Sequence, residues 1–373
     1  MDTLFLERLL VLLARGSFTT TYKYALLLAL IDLNLEGAGR GAEVTTITTR
    51  QLAERVVALY WPHTRPFQGR ELSQSRAGQG ESSVLRSIFT FRRAVAPHDG
   101  LPQRAAKADP EGYDRLIDEV EWVFVREPIP RLQVIGGAQD LFLYRVEWTI
   151  QQNSGAPIDP SLPLLTRRAF RAGELPNVLR LLPGVHERLV GLAAVLRPLI
   201  HRQWTDLVAQ MNRLPERALE DHLFGRSRED LLPVREPLWD LQGGRCFYCG
   251  GAVPLAQAQV DHVLPWSRFA EDAIENLVVA DGPCNLSKRD FLAGREPLEP
   301  WLARPRRDLT QLAEAADWPQ GHDRVRSTCA VAYRHMSPGM PLWRGRGALR
   351  GLSDDEQRWI LAALMSPAAA STV

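Results

Sequence analysis

The sequence predicts an α+β multidomain protein, with a mostly helical N-terminal part, a small mixed α/β middle region, and a strand–strand–helix module followed by a helical extension. Three observations predict it. At 373 residues the chain exceeds one ordinary hydrophobic core and suffices for two or three. Hydrophobic residues at 45% and charged residues at 24% are globular values, which excludes a disordered, collagen-like or membrane-protein composition. Apolar periodicity also changes along the chain, from helical to alternating and back. The expected boundaries are 1–108 for the helical N-terminal domain, 109–175 for the mixed α/β region, 176–232 for a helical connector, 233–301 for the module and 302–373 for the extension.

Taken in order, "TTYKYALLLALIDLNLEG" and "TTRQLAERVVALYW" repeat apolar residues at helical spacing. Thr49 is the expected N-cap of the second helix, and Gly37 to Gly41 an expected flexible break between the two. The pair matches a helix-turn-helix in outline, but core-packing helices carry the same pattern, so no DNA reading is assigned to it. The polar stretch "GRELSQSRAGQGESS" reads as a connection to the helix "VLRSIFTFRRAV", whose Arg86, Arg92 and Arg93 form a basic cluster. Then "EVEWVFV", "RLQVIG" and "LFLYRVEWTI" read as strands, with Gly136 and Gly137 at a turn. Helical spacing returns from Leu175 to Leu214, punctuated by Pro215 and Pro233. Past the module, "WLARPRRDLTQLAEAADW" and "DDEQRWILAALM" read as helices, and Arg304, Arg306 and Arg307 form a basic run able to grip a phosphate backbone or merely to face solvent. No internal repeat is visible.

A formal charge of +1 removes any argument from bulk electrostatics, so a nucleic-acid partner would need a local basic surface. Lysine occurs only at positions 23, 107 and 288, which makes each one informative, because ammonium and guanidinium do not substitute freely at a phosphate. The start "MDTLFLERLLVLLARG" lacks a basic n-region, and "YALLLALI" is too short to cross a bilayer. Three of the four cysteines fall within forty residues, which suits a metal knuckle or reduced thiols rather than a disulfide framework. A cytoplasmic location without membrane association is the expectation.

The chemistry concentrates in Arg245–Gly294. "AQVDHVLPW" is an expected strand ending at Pro265, "NLVVAD" a second strand, and "CNLSKRDFLAG" a helix closed by Gly294. If the first strand ends near the Asp-His pair, Asp261, His262, Asn285 and Lys288 come towards one face. Phosphodiester hydrolysis needs a deprotonated water and neutralised charge on the phosphoryl and leaving oxygens. A neutral imidazole at His262 can accept the proton near pH 7. The carboxylate of Asp261 and the amide oxygen of Asn285 are hard ligands suited to Mg²⁺ or Mn²⁺. Lys288, one helical turn after Asn285, could meet the phosphate. Trp266 and Phe269 are expected in the small core, Asp281 could cap the helix, and Arg289 reads as a solvated or phosphate-facing cation.

The elements "CFYC", "VDH", "IENL" and "CNLSK" resemble the HNH endonuclease family, the ββα-metal or His-Me finger nucleases, over about residues 233–301. The resemblance implies a C-terminal ββα-metal (HNH) nuclease domain. It implies one catalytic ion, Mg²⁺ or Mn²⁺, on Asp261 and Asn285, His262 as general base, and Asn276 bracing the loop and orienting the histidine. Many relatives hold a structural zinc on two Cys-x-x-Cys pairs, and here the second pair reads "DGPC". Cys246, Cys249, Asp281 and Cys284 could hold Zn²⁺, since zinc accepts carboxylate oxygen as well as thiolate, or the cysteines could pack as small hydrophobes. Cys329 is remote and reads as structural.

The implied function is a metal-dependent endonuclease acting on DNA, set by analogy in bacterial restriction or anti-phage defence, with the N-terminal part recognising substrate or a protein partner of that system. A homodimer cutting both strands is compatible with it. The alternatives are a non-cleaving DNA-binding or assembly module on the same fold, and an RNA-cleaving nuclease.

Overall fold

The run of seven apolar residues Ala25–Ile31 has no polar face, and in the folded chain each is at most 1% exposed, as expected of a helix buried on every side. A computed structural model describes residues 3–15, 19–75, 83–95, 101–136, 138–151, 155–214, 219–224, 231–266, 268–269 and 271–366. The chain divides into two units, Met1–Asn34 with Glu43–Phe224, and Leu35–Ala42 with Gly225–Val373. Among the described residues no helix is long and apolar enough to cross a membrane.

The first unit begins with α1 (Thr3–Arg15) and, as far as Asn34, α2 (Tyr22–Gly39), then β1 (Thr46–Thr48), α3 (Thr49–Tyr60) and α4 (Ser83–Val95). It continues through α5 (Pro102–Ala108), α6 (Pro110–Arg126), α7 (Pro128–Arg131), β2 (Val134–Ile135), β3 (Ala138–Gln139), β4 (Tyr144–Arg145), α8 (Arg167–Arg171), β5 (Val178–Leu181), α9 (Val185–Asn212) and α10 (Leu219–Phe224). β5 lies between β1 and β4 in an antiparallel sheet, and β2 pairs with β3.

Several expectations need correction. "EVEWVFV" is not a strand but the second half of α6, which starts at an Asp109 N-cap with Pro110 behind it. Its buried Leu116, Ile117, Val120, Phe124 and Val125 follow helical spacing, so tertiary burial outweighs the β-branched composition. Of "LFLYRVEWTI" only Tyr144–Arg145 enters the three-stranded sheet. Residues 178–181, within the stretch read as helical, form its central strand. The N-cap of α3 is Thr48, which closes a capping box with Gln51, while Thr49 is buried and bonds Glu121. α2 runs through Gly37 as far as Gly39, so the expected break starts later. Arg92 is buried and donates to Trp61 O and Thr64 Oγ1, which removes it from any basic surface. Gly137, Pro215 and the polar stretch at 76–82 lie outside the described residues.

The second unit carries α11 (Leu232–Leu241), β6 (Gln259–His262), β7 (Leu277–Ala280), α12 (Gly282–Lys288), α13 (Arg295–Leu302), α14 (Arg306–Ala315), α15 (His322–Arg334), β8 (Pro341–Gly345), β9 (Ala348–Gly351) and α16 (Asp354–Met365). β6 and β7 form the expected antiparallel pair, with Asp261 opposite Val278 and His262 opposite Leu277. β7 is buried along its length, so it reads as a continuous apolar run. Gly294 does not close α12. That helix ends at Lys288, with Arg289 turned to φ 47°, and Gly294 instead caps α13. The C-terminal stretch is not wholly helical either: β8 and β9 form a hairpin whose turn takes positive φ at Gly345 and Gly347.

Candidate active site

Strand alternation puts Gln259 and Asp261 on one face of β6. α12 meets that face: Asn285 Nδ2 donates to Gln259 Oε1 at 2.9 Å, and one turn later Lys288 Nζ stands 3.2 Å from Asp261 Oδ2. The ammonium also donates to the His262 carbonyl at 2.7 Å and is wholly buried, so it faces the carboxylate and the strand rather than solvent. Its geometry therefore differs from the phosphate contact expected of it. Tyr248, inside the knuckle, donates its phenol to the same Asp261 Oδ2 at 2.5 Å. Burial, followed by the charge of Asp261, pushes the Tyr248 pKa well above the ordinary value, so the group stays a donor.

Both contacts fall on one carboxylate oxygen. Among the described residues, Asp261 Oδ1 and Asn285 Oδ1 accept no protein hydrogen bond, and neither is a sealed buried atom. Two hard oxygen donors on adjoining elements fit Mg²⁺ or Mn²⁺, which take few protein ligands and keep several waters.

His262 is the last residue of β6, and its ring leaves the strand towards the loop that follows. There Nε2 lies 3.0 Å from Asp272 Oδ1, while Nδ1 has no hydrogen-bond partner among the described residues. The other oxygen of Asp272 accepts from Trp266 Nε1 at 3.3 Å, and its carbonyl accepts from Trp318 Nε1 at 2.8 Å. Trp266 is thus only partly a core residue, whereas Phe269 is buried as expected. Asn276 is fully buried: Oδ1 accepts from Leu264 N at 2.8 Å, and Nδ2 donates to Leu264 O at 3.0 Å and Glu271 O at 2.9 Å. Those bonds tie the loop between the strands to the base of β7, and they leave Asn276 no route to a substrate.

The cysteine knuckle sits beside this group. The ligand atoms of Cys246, Cys249, Asp281 and Cys284 all lie within 4.8 Å of one another. Asp281 does two jobs: Oδ1 caps α12 by accepting from Cys284 N at 2.7 Å, and Oδ2 lies 3.1 Å from Cys249 Sγ. Burial opposes ionisation of Asp281, but hydrogen bonds from the Cys284 amide, the thiols and Arg346 together bring its pKa down to about 2. Burial pushes the Cys284 thiol up to about 12, and that of Cys249 upward as well. Three sulfurs and a carboxylate at this spacing could hold a metal ion such as Zn²⁺, and loading the group would release the thiol protons. Cys329 is buried away from the cluster, with burial pushing its thiol up to about 12.

Sequence reasoning missed Tyr248, Asp272 and the whole hairpin. Trp343 in β8 packs edge-on against Tyr248, with ring centroids 4.9 Å apart, and donates to Ser287 Oγ at 3.0 Å. Arg346 in the hairpin turn donates to Cys284 Sγ at 3.2 Å and Asp281 Oδ2 at 2.5 Å. In the basic run, Arg304 turns inward: it donates to Leu277 O at 2.7 Å and also bonds Glu275 O, and burial lowers its pKa to about 10. Arg306 and Arg307 are exposed, as is Arg289.

Residues 246–293 match the family model of HNH endonucleases. The match opens at the first knuckle cysteine and takes in β6, β7 and α12, so it covers the whole constellation but a minority of the chain, and nuclease activity is what it suggests for this module. No curated protein and no solved structure matches the chain.

Proposed function

We propose that the HNH module at residues 246–293 hydrolyses DNA phosphodiester bonds with one Mg²⁺ or Mn²⁺ ion held by Asp261 and Asn285. The observation that carries this is the pair of oxygens without a partner among the described residues, Asp261 Oδ1 and Asn285 Oδ1, on side chains whose other polar atoms are engaged. When bound, the ion supplies charge neutralisation for the phosphoryl and leaving oxygens. His262 Nδ1 takes the proton from the attacking water, because Nε2 is already committed to Asp272. A phosphate lying across the end of β6 meets both His262 and Asp261, consecutive residues at that end.

Lys288 and Asn276 act by positioning. Lys288 neutralises Asp261 Oδ2 and ties it to the strand, and Asn276 holds the loop that carries Asp272. Cys246, Cys249, Asp281 and Cys284 would hold a structural Zn²⁺, and with it bound they would fix the start of α12, which presents Asn285 and Lys288. The large first unit serves to recognise the substrate or a partner, and the setting is restriction or anti-phage defence.

Plasmid DNA incubated with the full chain tests this. Nicking or linearisation is expected with Mg²⁺ or Mn²⁺ and is expected to vanish with chelator or with His262→Ala, while binding of DNA persists. Cleavage of RNA but not DNA would move the substrate, and binding without cleavage of any nucleic acid would favour a non-cleaving module. Phage plating on cells carrying the wild type or His262→Ala tests the defence setting.

A further inference from the structure

We infer that Asp272 is a positioning residue that fixes His262 in the tautomer with its proton on Nε2 and its lone pair on Nδ1. The inference rests on the reading of His262 as the general base, and it adds a residue to which neither the motif nor the family match gives a role. Asp272 Oδ1 stands 3.0 Å from His262 Nε2. The indole of Trp266 can only donate, and at 3.3 Å it does so to Oδ2. A third donor, Trp318 Nε1, holds the backbone of Asp272 through its carbonyl at 2.8 Å. An ionised carboxylate can only accept, so the proton of the His262–Asp272 bond belongs to Nε2 and the basic lone pair is left on Nδ1.

The surroundings are built to hold that arrangement. The carboxylate is 15% exposed and the imidazole 8%, which limits competition from water for their bond. Asn276 ties the same loop at Glu271 O, one residue before Asp272, and at Leu264, two residues after His262. The backbone carrying both residues of the pair is therefore anchored to one buried amide, and the Nε2–Asp272 bond then restrains the ring itself. An unconstrained imidazole divides its neutral form between two tautomers and several rotamers, so a fixed one presents its lone pair in line more often.

The test combines ring-nitrogen NMR of the ¹⁵N-histidine-labelled full chain with cleavage kinetics. In the wild type the His262 signals, assigned by their loss in His262→Ala, are expected to report a proton on Nε2. Asp272→Asn is isosteric but can offer its own N–H to the ring, and it is expected to populate the other tautomer. The same variant is expected to lower kcat about 10- to 100-fold with KM for DNA little changed, the usual consequence of losing such a hydrogen-bond partner. If Asp272→Asn unfolds the loop, Trp266→Phe supplies the second variant, since it removes the indole donor to Oδ2 and is expected to cause a smaller loss of kcat. An unchanged His262 tautomer in Asp272→Asn would overturn the inference, as would a variant whose kcat loss is matched by lower thermal stability without any change of tautomer. Failure of the wild type to cut any nucleic acid would instead overturn the nuclease reading, and the NMR arm would still decide the role of Asp272.

Discussion

Each unit of the molecule buries a salt bridge, and the two are built to different ends. In the first, Arg197 on α9 is fully buried against Asp32 of α2, itself 6% exposed, and Asp32 Oδ2 is shut in without a hydrogen-bond partner among the described residues. Burial alone lowers the Arg197 pKa, to about 10. In the second, Lys288 is equally buried, but Asp261 is 12% exposed and its spare oxygen is not sealed. The first pair spends both charges on joining helices. The second spends only one carboxylate oxygen and leaves the other for a ligand, so that burial orients the group without disabling it. A buried ion pair says little about function on its own. What distinguishes the two is where the remaining valence points.

The largest expected effect comes from breaking both pairs. Removing one partner strands a buried charge, at a cost of about 3–5 kcal/mol, so Lys288→Ala and Arg197→Ala should lower unfolding free energy by similar amounts. They should part company in Mn²⁺ binding measured by calorimetry or electron paramagnetic resonance. Lys288→Ala is expected to change it, because Asp261 loses its anchor, and Arg197→Ala is expected to leave it alone. Equal effects of the two variants on metal binding would erase the distinction. Next in size is Asn276→Ala, which leaves Leu264 N, Leu264 O and Glu271 O without their side-chain partner in a fully buried position. At about 1–3 kcal/mol per unsatisfied group, partly recovered by relaxation, a loss of about 3 kcal/mol is expected in chemical denaturation.

That Asp261, Asn285 and Lys288 face one another across β6 and α12 was legible in the sequence because a short module leaves little freedom: strand alternation and one helical turn nearly determine which elements meet, whereas Asn276, in the turn before β7, was singled out only by the family resemblance. Asp272 and Tyr248 lie inside the same stretch, yet an Asp in a loop or a Tyr in a knuckle has many ordinary uses, and only coordinates aim them at His262 and Asp261. Trp343 meets Tyr248 from 95 residues downstream and Arg346 meets Asp281 from 65, and local pattern carries no information about such contacts. The helix α6 was misread for a related reason. Its Val, Trp and Phe suit either element, and the choice rests on which face is covered.

Tyr248→Phe perturbs the second pair less, because it removes only one of the two contacts on Asp261 Oδ2. The hydrogen bond to an ionised Asp261 is a charge-assisted one, so about 1.5–3 kcal/mol of stability is at stake. The larger consequence is expected in metal affinity, which should fall roughly 10- to 100-fold when a ligand loses a supporting partner. Unchanged Mn²⁺ affinity would mean that Lys288 alone orients the carboxylate.

The smallest effect separates two helix caps. Thr48 caps α3 through a reciprocal pair of bonds with Gln51, at 3.1 Å to its hydroxyl and 2.9 Å from its amide, and it is exposed. Water can replace part of what Thr48→Ala removes, and the buried Leu52, Val56 and Val57 hold the helix in place regardless. A loss of about 1 kcal/mol is expected, with metal content unchanged. Asp281 caps α12 by the same geometry, but its second oxygen belongs to the cysteine cluster. Asp281→Ala is therefore expected to lower the zinc content of purified protein measured by elemental analysis, beyond whatever the cap contributes. Full zinc occupancy in Asp281→Ala would reduce this residue to a cap like Thr48 and leave the three thiolates to find a fourth ligand elsewhere.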